Sequence, residues 1–188
     1  MGYDADLNFS YFAPTKVIFG EGSIAELPME VKALGSKAFL VTDPGLMETG
    51  LVDQVKKTLG ELLVGFYADV PQDSGMTVVD KGAERALAAG ADVLVSLGGG
   101  SVIDTAKGMC IVMQEGGSLR DFQGMQLLTR PQTPHVVLPT TAGTGSEVGR
   151  AAVITNPADQ QRPPAMRVPS RNHLRLGQEH QRVGPRHL

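Results

Sequence analysis

The stretch DVLVSLGGGSVIDTAKGM, residues 92–109, decides the fold. Its first six residues, Asp92 to Leu97, are an apolar, β-branched run of strand length, and residues from Ser101 to Met113 are long enough and apolar enough for a packed helix. Between them stand Gly98, Gly99 and Gly100. Glycines there permit positive φ and close approach of the backbone to a ligand, while the new helix points unpaired N–H groups and the positive end of its dipole at the same spot. The stretch reads as a phosphate cradle. Ser101 with Asp104 three residues on also has the spacing of a capping box, which would do no more than start the helix. Three glycines and Lys107 exceed what a cap needs. The segment is not a Walker A loop, and it fails the dinucleotide pattern G-x-G-x-x-G because Ile103 stands at the third glycine position.

Outward from this stretch the same alternation repeats. Strands are expected at 16–19, 37–42, 62–67, 92–97, 135–138 and 151–155, and helices at 23–34, 49–59, 77–89 and 101–113. In the third helix Val78, Ala83, Ala86, Leu87 and Ala89 fall largely along one stripe, Asp80, Lys81, Glu84 and Arg85 face away, and Gly90 is placed to cap the end. The pattern predicts an α/β fold, a doubly wound and mostly parallel sheet of Rossmann-like type, with ligands at the carboxyl ends of its strands. DPGL (43–46), VPQDSG (70–75), LGGGS (97–101) and PTTAGTGSE (139–147) all fall there.

The last of these loops offers four hydroxyls, on Thr140, Thr141, Thr144 and Ser146, with Gly143 and Gly145 between them. Hydroxyls and exposed amides at a strand end suit phosphate and ribose oxygens, although an ordinary polar loop has the same composition. Asp43, after the second strand, can accept from ribose hydroxyls and would repel a 2′-phosphate, favouring NAD over NADP; Asp before Pro is also a common turn starter. Asp73 occupies a similar and weaker position.

FGEGSIAEL (19–27), VTDPGL (41–46), LGGGSVIDTAK (97–107) and PTTAGTGSE (139–147), in this order and spacing, resemble the N-terminal half of the iron-activated alcohol dehydrogenases. The resemblance covers residues 10 to about 160. It implies a nucleotide-binding domain related to that of dehydroquinate synthase, with NAD(P) as cofactor and hydride exchange with a small alcohol or aldehyde. It also implies that Gly98, Gly99, Gly100 and Ser101 hold the pyrophosphate, that Asp104 braces this turn, and that Thr140, Thr141, Thr144 and Ser146 line the phosphate and nicotinamide end. Asp43 would meet the adenosine ribose. In the family a second, helical domain supplies an aspartate and three histidines that bind Fe2+ or Zn2+. No segment of this chain resembles the helix bearing the first of them, so no catalytic residue and no metal ligand is assigned, and the chain alone is expected to be inactive.

Composition bounds the rest. The chain has 188 residues, a formal charge of -3, one cysteine and no tryptophan, enough for one domain with an appendage. A lone Cys110 excludes a disulfide framework and suits a reducing compartment such as the cytosol. No apolar run is long enough to span a bilayer, MGYDADLNFS lacks the marks of a signal peptide, and the acidic balance argues against nucleic acid. That balance is uneven: residues 1–156 carry 11 basic and 18 acidic side chains, residues 157–188 six and two. The latter stretch, rich in Arg, Pro, Gln and His, shows no helical or strand period and is expected to be disordered. Such a composition is typical of a shifted reading frame, so a truncated or frame-shifted product is expected, with residues from about Pro163 onward foreign to the family. His173, His180 and His187 recur every seven residues, but Pro169 precedes them, Pro185 falls between the last two, and a metal site is not expected. Cys110 and His135 read as packed core residues. The resemblance makes a homodimer or larger oligomer plausible. A catalytically silent nucleotide-binding module and a lyase resembling dehydroquinate synthase are the competing readings; TTAGTGSE favours the dehydrogenases over the lyase.

Overall fold

The computed structural model describes residues 15–123, 128, 130–149 and 151–156, and the backbone of 165–167 and 173–177. MGYDADLNFS and most of 157–188, His180 and His187 included, lie outside these residues. Four of the expected strands form as β1 (Lys16–Phe19), β2 (Ala38–Val41), β3 (Leu63–Tyr67) and β4 (Val93–Gly98), and a fifth as β5 (His135–Pro139). Helices α1 (Leu27–Leu34), α2 (Leu51–Leu59), α3 (Met76–Ala88) and α4 (Gly100–Glu115) connect them. The helix expected from Ser23 begins as a 3-10 turn, Ser23–Glu26, because Pro28 lacks an N–H and is tolerated only in the first turn of the α-helix proper.

All pairings in the main sheet are parallel, in the order β1-β8-β5-β4-β2-β3, where β8 is His173–Gly177. Alternate residues of the buried strands point to opposite faces. Ala38, Leu40, Val93, Val95, Leu97, Val136 and Leu138 pack with Leu27, Val31, Val52 and Val55 of α1 and α2; Phe39, Val41 and Leu94 pack with Val79, Ala83, Ala106 and Met109 of α3 and α4. The two helices on the second face approach closely at glycines: a Cβ on Gly82 would lie 2.7 Å from the Met109 sulfur, and one on Gly108 2.9 Å from a Val79 methyl. α3 ends as expected: Gly90, at φ 68, donates to the Leu87 carbonyl, and the Ala91 N–H reaches back to Ala86, the double bond of a Schellman motif. Cys110 is fully buried and His135 is bonded to Ser96 at 2.8 Å, both inside the core.

The strand expected at 151–155 departs from the reading in two ways. It is shorter, β6 (Ala151–Val153), and it leaves the main sheet to pair antiparallel with β7 (Ala165–Arg167). Its place in the main sheet is taken by β8 (His173–Gly177), which pairs parallel with β1 on one side and β5 on the other. β7 and β8 lie where no strand was expected. A strand with partners on both edges satisfies its backbone there, whatever its hydrophobic period.

Candidate functional site

Along the sheet, β3 lies outside β2 and the chain then returns to β4 on the other side of β2. The order therefore reverses between β2 and β4, and the crevice beyond their carboxyl ends is where open α/β sheets bind ligands. Thr42, fully buried at this switch point, ties three strands together: its N–H donates to the Tyr67 carbonyl and its hydroxyl to the Leu97 carbonyl at 2.9 Å. The sequence reading passed over Thr42; a hydroxyl closing an apolar strand was the signal.

A cleft of about 510 Å³ opens there. Its walls are the segment 43–46 after β2, residues 70–72 after β3, Gly99 to Val102 at the start of α4, and Thr140 and Thr141 after β5. Six of the ten expected site residues, Asp43, Gly99, Gly100, Ser101, Thr140 and Thr141, thus stand together. No side chain caps α4, so the amides of its first turn are left for a ligand, the arrangement that binds anions at helix N-termini. The capping-box alternative does not form, since the N-cap is Gly99 and the Ser101 hydroxyl instead accepts from the Asp73 N–H at 3.2 Å. Asp73 is held at φ 52, the one non-glycine residue with positive φ among the described residues.

The glycines serve close approach rather than positive φ. None of Gly98, Gly99 and Gly100 adopts a left-handed conformation. A Cβ on Gly99 would lie 2.9 Å from the Thr141 hydroxyl, one on Gly98 would strike Val102 at 2.6 Å, and one on Gly100 would meet Ser146 Oγ at 3.4 Å. Positive φ is instead used in the other loop, at Gly143 (φ 89) and Gly145 (φ 65). The Thr140 N–H donates to the Gly98 carbonyl at 3.0 Å and joins the two loops. Thr144 and Ser146 stand over Gly100 without lining the cleft, and Thr144 Oγ1 donates to Glu147 at 3.2 Å. Asp43 lines the cleft while its Oδ1 accepts from the Leu46 N–H at 3.2 Å, so it is both turn starter and cleft wall.

Asp104 is not part of this wall. Buried one turn further along α4, its carboxylate holds Lys107 at 3.1 Å and accepts from the Val153 N–H at 3.0 Å; it braces β6 rather than the glycine turn. Lys107 likewise turns away from the cleft and donates to the Ala151 carbonyl at 2.7 Å. Burial pulls the Lys107 pKa below its usual value, against Asp104 and Glu147, whose carboxylates favour its charge. Val70, Pro71 and Gln72, from the VPQDSG segment expected at a strand's carboxyl end, also line the cleft, although none of the three was a candidate site residue. Among the described residues no three of His, Cys, Asp and Glu are grouped as metal ligands would be, so these residues do not fit a catalytic metal. No helix among them is long and apolar enough to cross a membrane.

A parallel, doubly wound sheet with a glycine turn, an uncapped helix start and an acid at the switch point defines the Rossmann-like nucleotide-binding class. The sequence model of the iron-containing alcohol dehydrogenases matches residues 14–171, and the chain belongs to that family. The match runs past Pro163. Alcohol dehydrogenase 4 of Schizosaccharomyces pombe is 38% identical over 149 residues, 78% of this chain and 35% of the relative. The NAD-dependent methanol dehydrogenase of Bacillus methanolicus is 38% identical over 160 residues, 84% of this chain and 42% of the relative. A crystal structure of an archaeal halo-thermophilic alcohol dehydrogenase from a Red Sea brine pool superposes with a TM-score of 0.80 at 33% identity, covering 92% of this chain and 46% of that one. The chain spans less than half the length of these relatives.

Proposed function

We propose that this chain is the dinucleotide-binding part of a metal-dependent alcohol dehydrogenase, with NAD as its cofactor and a small alcohol or aldehyde as the substrate of the complete enzyme. The observation that carries the reading is the uncapped start of α4 opposite Thr140 and Thr141, with Asp43 across the cleft. In it Gly99, Gly100 and Ser101 present backbone amides to the pyrophosphate, with Gly98 closing the turn behind them. Thr140 and Thr141 offer hydroxyls to the phosphates or the nicotinamide ribose, and Thr144 and Ser146 hold their loop above Gly100. Asp43 accepts from the adenosine ribose hydroxyls and disfavours a 2′-phosphate. The bound nicotinamide supplies the hydride chemistry; the protein residues bind and orient it. A buried thiol in an otherwise cysteine-free chain fits a reducing compartment such as the cytosol, and association into a homodimer or larger oligomer belongs to the same reading.

The test is a titration of the purified chain with NADH and with NADPH, followed by nicotinamide fluorescence. Enhanced fluorescence with NADH, and binding of NADPH at least tenfold weaker, is the expected result; no binding of either at millimolar concentration overturns the reading. Alcohol oxidation with added Fe2+ or Zn2+ is expected to give no turnover, because the described residues offer no metal site. Binding without turnover by a complete protein of normal length would favour the silent module instead.

A further inference from the structure

The ion pair Asp104–Lys107 has a geometry that simple core filling does not require. Both side chains are buried, 7% and 1% exposed, and each also bonds the backbone of β6: Lys107 donates to the Ala151 carbonyl, and Asp104 accepts from the Val153 N–H. The carbonyl of one residue and the N–H of the residue two further on face the same side of a strand. Together they are the two groups that one residue of a neighbouring parallel strand would take. The other edge of β6 is paired with β7, with Ala152 opposite Met166.

We propose that Asp104 and Lys107 act as positioning residues, an ionic stand-in for one rung of a parallel strand, which seats β6 on α4 and so fixes the 139–149 loop over the start of that helix. The loop leads directly into β6, and Glu147 at its base adds its field to Lys107. Two residues beyond β6, Thr155 donates its N–H to the Ser74 carbonyl at 3.0 Å and its hydroxyl to the Asp73 carbonyl at 3.0 Å, while the Asp73 N–H donates to Ser101. α4 thus grips the exit of the loop twice, at its first turn through residues 73–74 and at its second turn through the ion pair. Apolar side chains of equal volume would fill the same space without holding either backbone group.

The link to β6 stands on these contacts alone; the link to cofactor affinity rests on the function proposed above. The test is the double variant Asp104→Leu/Lys107→Met in the 188-residue chain, chosen because apolar replacement of a buried pair is often neutral for stability. With cooperative unfolding retained, the amides of Val153 and of the 140–149 loop are expected to exchange with solvent at least tenfold faster than in the parent, without ligand, and the NADH dissociation constant to rise at least tenfold. A folded double variant whose amides exchange at the parent rate overturns the proposal. Faster exchange with unchanged NADH affinity overturns its cofactor arm. If the parent binds no NADH, the function reading fails while the exchange rates still decide the positioning role. Should the double variant not fold, Asp104→Asn replaces it, and unchanged exchange at Val153 is again the overturning result.

Discussion

At the scale of single residues, the cleft depends on hydrogen atoms where side chains would otherwise be. Gly99→Ala places a methyl group 2.9 Å from the Thr141 hydroxyl, so one of the two cleft loops must move. The NADH dissociation constant is expected to rise about tenfold, equivalent to about 1.4 kcal/mol, with the unfolding midpoint little changed; fluorescence titration and thermal melts on the same samples separate the two. Asp92 shows how a charge can tie down a turn. Burial alone would raise its pKa, but the Lys37 and Ser36 N–H groups and the Ser36 hydroxyl, at 2.7 to 3.0 Å, outweigh this and hold its carboxyl below the usual range. A carboxylate whose native pKa is depressed contributes fully above its unfolded pKa of about 4 and loses that contribution as pH falls through the native value. Asp92→Asn is therefore expected to cost about 1 kcal/mol at pH 7, discounted for solvent exposure, and to converge with the parent in urea unfolding as pH falls through the depressed native value.

At the scale of elements, α3 and α4 divide the work of stability and binding. Gly90 ends α3 in a left-handed conformation, and a Cβ added there would have no neighbour closer than 3.7 Å, so Gly90→Ala tests the backbone alone. A loss of about 1 kcal/mol is expected in chemical denaturation, with no change in cofactor binding. Most of the elements were legible because their patterns are local: the apolar run before Gly98, the stripe on α3, the glycine beyond it. The cleft residues were legible because a glycine turn and a row of hydroxyls are strings in the sequence. The bonds that Asp104 makes are illegible there for the opposite reason. Its partner, the Val153 N–H, lies 49 residues away, and no spacing pattern points to a bond between a helix side chain and a distant strand backbone. Thr42 is illegible in the same way, since its neighbours are set by strand order. β8 was illegible because its partners, not its composition, make it a strand.

At the scale of the whole molecule, Cys110 offers a measure of opening. It is fully buried in the core cluster that α3, α4 and one face of the sheet share, and burial raises its thiol pKa well above the ordinary range, so neither reagent nor thiolate is available in the native state. Modification by a thiol reagent is expected to proceed only through large-scale opening, with a rate that rises with urea in parallel with global unfolding; fast labelling at zero urea would show that α4 detaches on its own. The placement of β8 has a consequence for synthesis. Among the described residues β1 pairs with the main sheet only through β8, whose first residue, His173, follows Phe19 by 154 positions. At about 5–20 residues per second, a nascent chain carries β1 for roughly 8–30 s before its partner has been made. Val17 and Phe19, exposed even in the finished fold, stand on that waiting strand. β1 is thus made long before the strand that holds it, and early chaperone contact would fall there.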